Sequence, residues 1–137
     1  DILKRLSIIE QGLARIKEKA PVLISSYRDR LRENMEKLLK GTDIHINGER
    51  IEQEVAIFAE RSDITEEIVR MESHLIQFRE YMQGNEPVGR RLDFLIQEMN
   101  REVNTIGAKA LDPLISRLVV DIKGEIEKIR EQVQNIE

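Results

Sequence analysis

Acidic, basic and histidine side chains recur at helical spacing between residues 63 and 82. At steps of four, three and four residues, they are Asp63, Glu67, Arg70 and His74. At about 100° per residue these positions form one row beside an apolar seam. Carboxylate oxygens and an imidazole nitrogen in such a row can hold a divalent ion, and Arg70 can contact a phosphate. The row therefore predicts a metal site made of Asp63, Glu67 and His74. The alternative is an ion pair between Glu67 and Arg70, with His74 a polar residue at the edge of the seam.

A second set of polar residues lies on the predicted helix from about residue 87 to 110. Glu98 and Glu102 are four residues apart, which destabilises an isolated helix by about 0.2–0.5 kcal/mol. A metal ion, an arginine from another helix or solvent must offset this repulsion. The opposite flank carries amides, which can read bases or bond to a neighbouring helix: Gln97, Asn100 and Asn104.

The two sets are joined by a predicted turn at residues 84–87. An antiparallel hairpin with this turn places residue 74 opposite residue 98, and paired helices lie about 8–10 Å apart. We therefore predict that the catalytic or metal-binding group consists of Glu67, His74, Glu98 and Glu102. The alternative is a His74–Glu98 hydrogen bond that only fixes the register of the hairpin.

Basic residues in the same half of the chain are candidates for binding phosphate groups. Arg90 and Arg91 lie near a predicted helix amino terminus, where backbone N–H groups favour an anion. The predicted phosphate-binding set is Arg70, Arg90, Arg91, Arg101 and Lys109. An ion-pair network with the many glutamates is the competing interpretation.

Composition excludes several other kinds of protein. The net charge of the 137-residue chain is −4, so any nucleic-acid contact must use local clusters of arginine rather than a basic coat. With no cysteine and two histidines, a closed zinc site is not expected. No apolar run approaches the roughly 20 residues that cross a bilayer. These features predict a cytoplasmic protein with neither a membrane contact nor a small-molecule cofactor.

Hydrophobic periodicity predicts helices throughout. The first helix runs from the start of the chain to just before Gly41 with a kink near Pro21, or breaks fully at residues 19–22. After a connector, one helix is favoured from about residue 49 to 83, irregular near residue 62; a true break there, capped by Asp63, is the alternative. The last helix begins at Asp112-Pro113.

The predicted fold class is all-α: an elongated, coiled-coil-like module that ends in an antiparallel helical bundle. The predicted division is into residues 1–48, a long helix and connector, and residues 49–137, a helical domain. The first helix carries an apolar stripe with few local partners, which predicts packing on the carboxy-terminal helix or on another chain: Ile2, Leu6, Ile9, Leu13 and Ile16.

Two long phrases, RRLDFLIQEMNREVNTIGAKA and ISRLVVDIKGEIEKIREQVQNIE, resemble the carboxy-terminal domain of the YicC/YloC family of bacterial metal-dependent endoribonucleases. The resemblance runs from about Arg50 to Glu137, and residues 1–49 fit the helical segment before that domain. It implies RNA cleavage with Mn²⁺ or Mg²⁺ and a ring-like homo-oligomer, a hexamer. Family members carry a further amino-terminal domain that nothing here matches, so the resemblance also implies a fragment. The alternative function is a non-catalytic oligomerisation or RNA-clamp module of a larger ribonuclease.

Overall fold

Five helices make up the computed structural model, which describes residues 1–84 and 88–135. They are α1 (Ile2–Leu39), α2 (Gly48–Arg61), α3 (Thr65–Gln83), α4 (Gly89–Lys109) and α5 (Pro113–Gln134). No strand occurs in these two ranges. The all-α prediction is confirmed.

Helix α1 is continuous through Pro21, so the alternative of a full break at residues 19–22 is wrong. At about 1.5 Å per residue its 38 residues extend roughly 57 Å. The Asp1 side chain accepts a hydrogen bond from the Leu3 backbone N–H at its start. After Leu39 the chain turns through Gly41, whose φ of +81° suits a residue without a Cβ.

The favoured single helix over residues 49–83 is wrong, because the structure has two helices there. Helix α2 ends at Arg61, and the backbone N–H and hydroxyl of the following Ser62 both donate to the Phe58 carbonyl. The Asp63 carboxylate then accepts from the backbone N–H and the hydroxyl of Thr65 at 3.0 and 2.6 Å. These local bonds satisfy the groups freed by the break, and α3 starts in a new phase. Its seam is buried from Ile64 to Phe78.

The carboxy-terminal helices are antiparallel neighbours. The predicted turn and the Pro87 helix start fall largely on residues 85–87, which lie outside the described residues; α3 ends before them and α4 begins after them. Asp112 caps α5 by accepting from the Ile115 N–H at 3.0 Å, with Pro113 in its first turn. The predicted start of the last helix is confirmed.

The first half of α1 packs into the same bundle. It lies antiparallel to α5, where Arg5 pairs with Glu125 at 2.9 Å, and to α3, where Arg79 pairs with Glu10. Helix α4 completes the bundle between α3 and α5. The apolar stripe of α1 is therefore buried within the chain, on the carboxy-terminal helix as one version of the prediction had it.

The second half of α1 and helix α2 form an extension from this bundle, residues 24–61. Ile51 and Val55 are buried but do not belong to the main core cluster. Tyr27 stacks on Phe58 with 4.0 Å between ring centroids, and Arg28 pairs with Glu52 at 2.9 Å. Among the described helices, none is long and apolar enough to cross a membrane.

Candidate functional site

Three potential metal ligands meet on the α3–α4 hairpin. His74 of α3 faces Glu98 and Glu102, which lie one turn apart on α4. One ligand atom from each of the three lies within 4.8 Å of the other two. The described part of the chain holds no other group of three such residues at this spacing. We refer to His74, Glu98 and Glu102 as the hairpin triad.

Both ring nitrogens of His74 are buried and lack a hydrogen-bond partner. A buried polar group without a partner costs about 1–3 kcal/mol, so a ligand that bonds to the ring would stabilise it. The competing prediction, a His74–Glu98 hydrogen bond that fixes hairpin register, requires a bond that the structure does not contain. The three side chains are close enough to share an ion, but His74 forms no hydrogen bond with either glutamate.

Arg70 fixes the position of Glu102. Its Nε donates to both carboxylate oxygens at 3.0 Å, and Glu102 is only 5% exposed. This hydrogen bond to Glu102 raises the pKa of the Arg70 guanidinium above its ordinary value. The same guanidinium also contacts Glu66 and Glu67 at 3.4 Å. A carboxylate held on both oxygens has little freedom to rotate, so Glu102 is preorganised.

Glu67 lies seven residues before His74 on α3 and is not one of the triad's ligands. Its Oε2 accepts from Lys109 Nζ at 2.9 Å, while its Oε1 is buried without a partner. Through Arg70 it belongs to the same charged network as Glu102. Glu67 is thus placed to support the triad rather than to complete it.

Asp63 sits at the beginning of α3, where it bonds to Thr65. The hydrogen bond from the Thr65 hydroxyl is the main cause that lowers the pKa of the Asp63 carboxyl. The predicted metal set of Asp63, Glu67 and His74 is therefore not gathered in the structure. Asp63 bonds to Thr65 just before α3, and Glu67 pairs with Lys109. His74 faces the neighbouring helix, because the α3–α4 packing supplies nearer carboxylates than α3 itself.

Negative charge exceeds positive charge around the triad. The network has four carboxylates against two cations, Arg70 and Lys109. The carboxylates are Glu66, Glu67, Glu98 and Glu102. This local excess of carboxylates over cations favours a bound cation.

The predicted phosphate-binding residues fall into two groups. Arg70 and Lys109 are occupied by carboxylates. Arg90, Arg91 and Arg101 are exposed and form no ion pair with any residue in the described ranges. The second group is placed to meet a polyanion, whereas the first is placed to hold the site together.

A cavity that the sequence did not predict lies beside Arg90 and Arg91. Gln77 and Tyr81 continue the His74 face of α3, and Phe94 precedes Glu98 by one turn of α4. The sequence does show that Phe94 is a bulky apolar residue outside the apolar seam of its helix. It does not show that Tyr81 of the facing helix lines the same cavity.

Comparisons with known proteins agree with the resemblance. Residues 16–137 match the model of the family described as endoribonuclease YicC-like, C-terminal. The chain is 46% identical over its full length to a probable endoribonuclease YicC of Clostridioides difficile (strain 630), and covers 46% of that protein. It is 33% identical over 136 residues to a probable endoribonuclease YicC of Haemophilus influenzae (strain ATCC 51907 / DSM 11121 / KW20 / Rd), covering 99% of the chain and 46% of that relative. The chain spans about half the length of the curated relatives it matches.

Proposed function

The chain belongs to the family of YicC-like endoribonucleases, whose carboxy-terminal domain it matches, and on this premise we propose that the hairpin triad is a divalent-metal site for RNA phosphodiester cleavage. One observation carries the proposal: three ligand atoms within 4.8 Å, one of them on an imidazole whose nitrogens are buried and unbonded. The proposed ion is Mn²⁺ or Mg²⁺, as the resemblance implies.

The donor set fits such an ion. The two carboxylates suit both Mn²⁺ and Mg²⁺, whereas the imidazole favours the transition metal Mn²⁺ over Mg²⁺, which prefers oxygen ligands. At metal–ligand distances of about 2.0–2.2 Å, two ligands on opposite sides of an ion are about 4.0–4.4 Å apart. Small side-chain rotations would bring the three ligand atoms, now within 4.8 Å of one another, to these distances. The unbonded His74 nitrogens and the uncompensated negative charge point the same way.

A divalent ion held here supplies Lewis-acid stabilisation of the charge that develops on the phosphoryl oxygen. The chain's own residues do the rest. His74 binds through a ring nitrogen, and Arg70 keeps the Glu102 carboxylate in place. Glu98 has no ion pair in the described part of the chain, so one of its oxygens would hold the ion while the other takes the proton of the attacking hydroxyl, either a water or the ribose 2′-hydroxyl. As the new phosphorus–oxygen bond forms and the bond to the leaving ribose oxygen breaks, the same carboxyl group would pass that proton to the leaving oxygen.

Two near-isosteric substitutions test the proposal: His74→Gln and Glu98→Gln. Each removes one ligand without opening a cavity, so we expect loss of Mn²⁺-dependent RNA cleavage with little change in melting temperature. We also expect loss of the stabilisation that Mn²⁺ gives the wild-type chain, which should be about 2.7 kcal/mol when Mn²⁺ is at 100 times its Kd. The matched control is Glu80→Gln, which removes an exposed carboxylate from the same helix.

Normal cleavage by both variants would overturn the site, and so would loss of activity that merely follows unfolding. The assay needs the 137-residue chain and a protein of the relatives' length side by side, since the chain covers 46% of those relatives. Cleavage only by the longer protein would favour the second candidate function, an RNA-clamp module whose chemistry needs the rest of the protein.

Homo-oligomer formation and a cytoplasmic location remain proposals that follow from the resemblance and the composition. The Ile2–Ile16 stripe is already buried within the chain. An oligomer contact would therefore use another surface.

A further inference from the structure

A cavity of about 390 Å³ lies on the same hairpin as the triad, toward the end where α3 finishes and α4 begins. Its volume falls in the range of roughly 300–1,000 Å³ that suits a small ligand. It is lined by Gln77, Tyr81, Arg90, Arg91, Phe94 and Leu95. None of these residues takes part in the metal site.

The lining combines the groups that recognise an unpaired base. Phe94 is 60% exposed, which is unusual for so large an apolar ring. The Arg91 guanidinium carbon lies 5.6 Å from the centroid of the Tyr81 ring, within the range of a cation–π contact. Aromatic and guanidinium planes stack on nucleobases, and an amide such as Gln77 can bond to a base edge. Neither Arg90 nor Arg91 is neutralised by a carboxylate in the described residues.

The cavity is in register with the triad. On α3, steps of three and four residues lead from His74 to Gln77 and Tyr81. On the antiparallel α4, steps of four and three residues lead back from Glu98 to Phe94 and Arg91. Both series stay on one helix face. Seven residues at about 1.5 Å each place the cavity roughly 10 Å along the hairpin from the triad. That is about three nucleotides of a stacked strand at 3.4 Å each, and fewer of an extended one.

We propose that this cavity is a nucleobase-binding subsite that selects single-stranded RNA and holds it across the triad. Its place relative to the cut rests on the proposed function, but its ability to bind a base does not. A base inside a duplex is stacked on its neighbours and cannot enter. The subsite therefore makes single-stranded RNA the substrate class.

The test uses the absence of tryptophan from the chain. Phe94→Trp introduces a single fluorophore into the cavity and keeps an aromatic face there. In EDTA, so that no cleavage occurs, short single-stranded oligoadenylate should quench its emission, and an RNA duplex of equal length should not. Phe94→Ala should weaken oligoadenylate binding about tenfold, since a base–aromatic stack is worth about that much or more. The control is Val120→Ala, which trims a 67% exposed apolar side chain on α5 and should leave affinity unchanged.

Equal quenching by duplex RNA would overturn the proposal, because it would show backbone binding without base recognition. Unchanged affinity in Phe94→Ala would also overturn it. The two proposals fail separately. If Phe94→Ala binds and cleaves normally while His74→Gln is inactive, the subsite is wrong and the metal site stands. If Phe94→Trp is quenched as expected while His74→Gln cleaves normally, the metal site is wrong and the subsite stands.

Discussion

At the residue scale, cations that look alike in sequence have different tasks. Arg101 is exposed without an ion pair in the described ranges, whereas Lys109 covers the buried Glu67. Replacing Arg101 with Gln should lower the salt slope of RNA binding by about one unit and leave stability unchanged. The same reduction is expected for Arg90 and Arg91 separately. The measurement is Kd for single-stranded RNA across a range of salt concentrations.

Lys109→Gln is the informative contrast. It leaves Glu67 without its nearest cation, so stability should fall by on the order of 1 kcal/mol, a modest value because the half-exposed lysine is partly screened. Its effect on the salt slope should be smaller than that of Arg101→Gln. If Arg101→Gln kept the wild-type salt slope of RNA binding while Lys109→Gln lowered it, Lys109 rather than Arg101 would be the residue that contacts RNA.

Spacing along one helix identified candidate residues but not their partners. Hairpin register was enough to bring His74 opposite Glu98, because an antiparallel pair fixes which positions face each other. It was not enough to show that Arg70 reaches Glu102 or that Lys109 reaches Glu67. Which side chains pair across two helices depends on how each helix is rotated about its axis, and the periodicity of the sequence does not specify that rotation. Phe94 was missed for the same reason.

At the element scale, two glycines in helices have opposite roles. A Cβ on Gly12 would meet the Cγ1 and Cδ1 atoms of Ile122 at 3.1 and 3.2 Å, whereas a Cβ on Gly124 meets nothing within 4 Å. Gly12 thus lets α1 approach α5 closely, and this explains why the helix carries a residue that costs it about 1 kcal/mol relative to alanine.

Gly124→Ala should therefore stabilise the protein by up to about 1 kcal/mol, while Gly12→Ala should gain less or lose stability. Urea unfolding measures both. In the Gly12→Ala background, Ile122→Val should cost less than its usual 0.5–1.5 kcal/mol, an estimate that holds for the wild-type core. Additive effects in this cycle would show that the α1–α5 contact is not tight at Gly12.

Helix starts were predicted well where the sequence has a residue type that commonly caps a helix. Asn47 accepts from the N–H groups of Glu49 and Arg50, as expected for a helix start. The break between α2 and α3 lies where the favoured single helix was predicted to be irregular, near residue 62. No glycine or proline in residues 49–83 marks it. Packing explains it: Ile51 and Val55 of α2 are buried outside the main core cluster, whereas the apolar residues of α3 lie within it.

At the scale of the whole molecule, α1 belongs to two environments. Its first half is part of the bundle core, with Leu6 fully buried. From Ile24 onward its residues lie outside the main core cluster, and the apolar residues there become more exposed toward the end, with Leu38 76% exposed. The sequence shows one uninterrupted stripe because periodicity records which face is apolar, not what lies against it.

The bundle and the extension should consequently unfold at different free energies. Leu6→Ala should destabilise the whole protein by about 2–5 kcal/mol, because it removes core volume that four helices share. Val55→Ala, equally buried but in α2, should raise hydrogen exchange across α2 and the second half of α1 and barely change exchange in α3–α5. Amide exchange followed by mass spectrometry distinguishes the two. If Val55→Ala exposes α4 amides as strongly as Leu6→Ala does, the extension and the bundle form one cooperative unit, and the hairpin that carries the triad would depend on α2 for its stability.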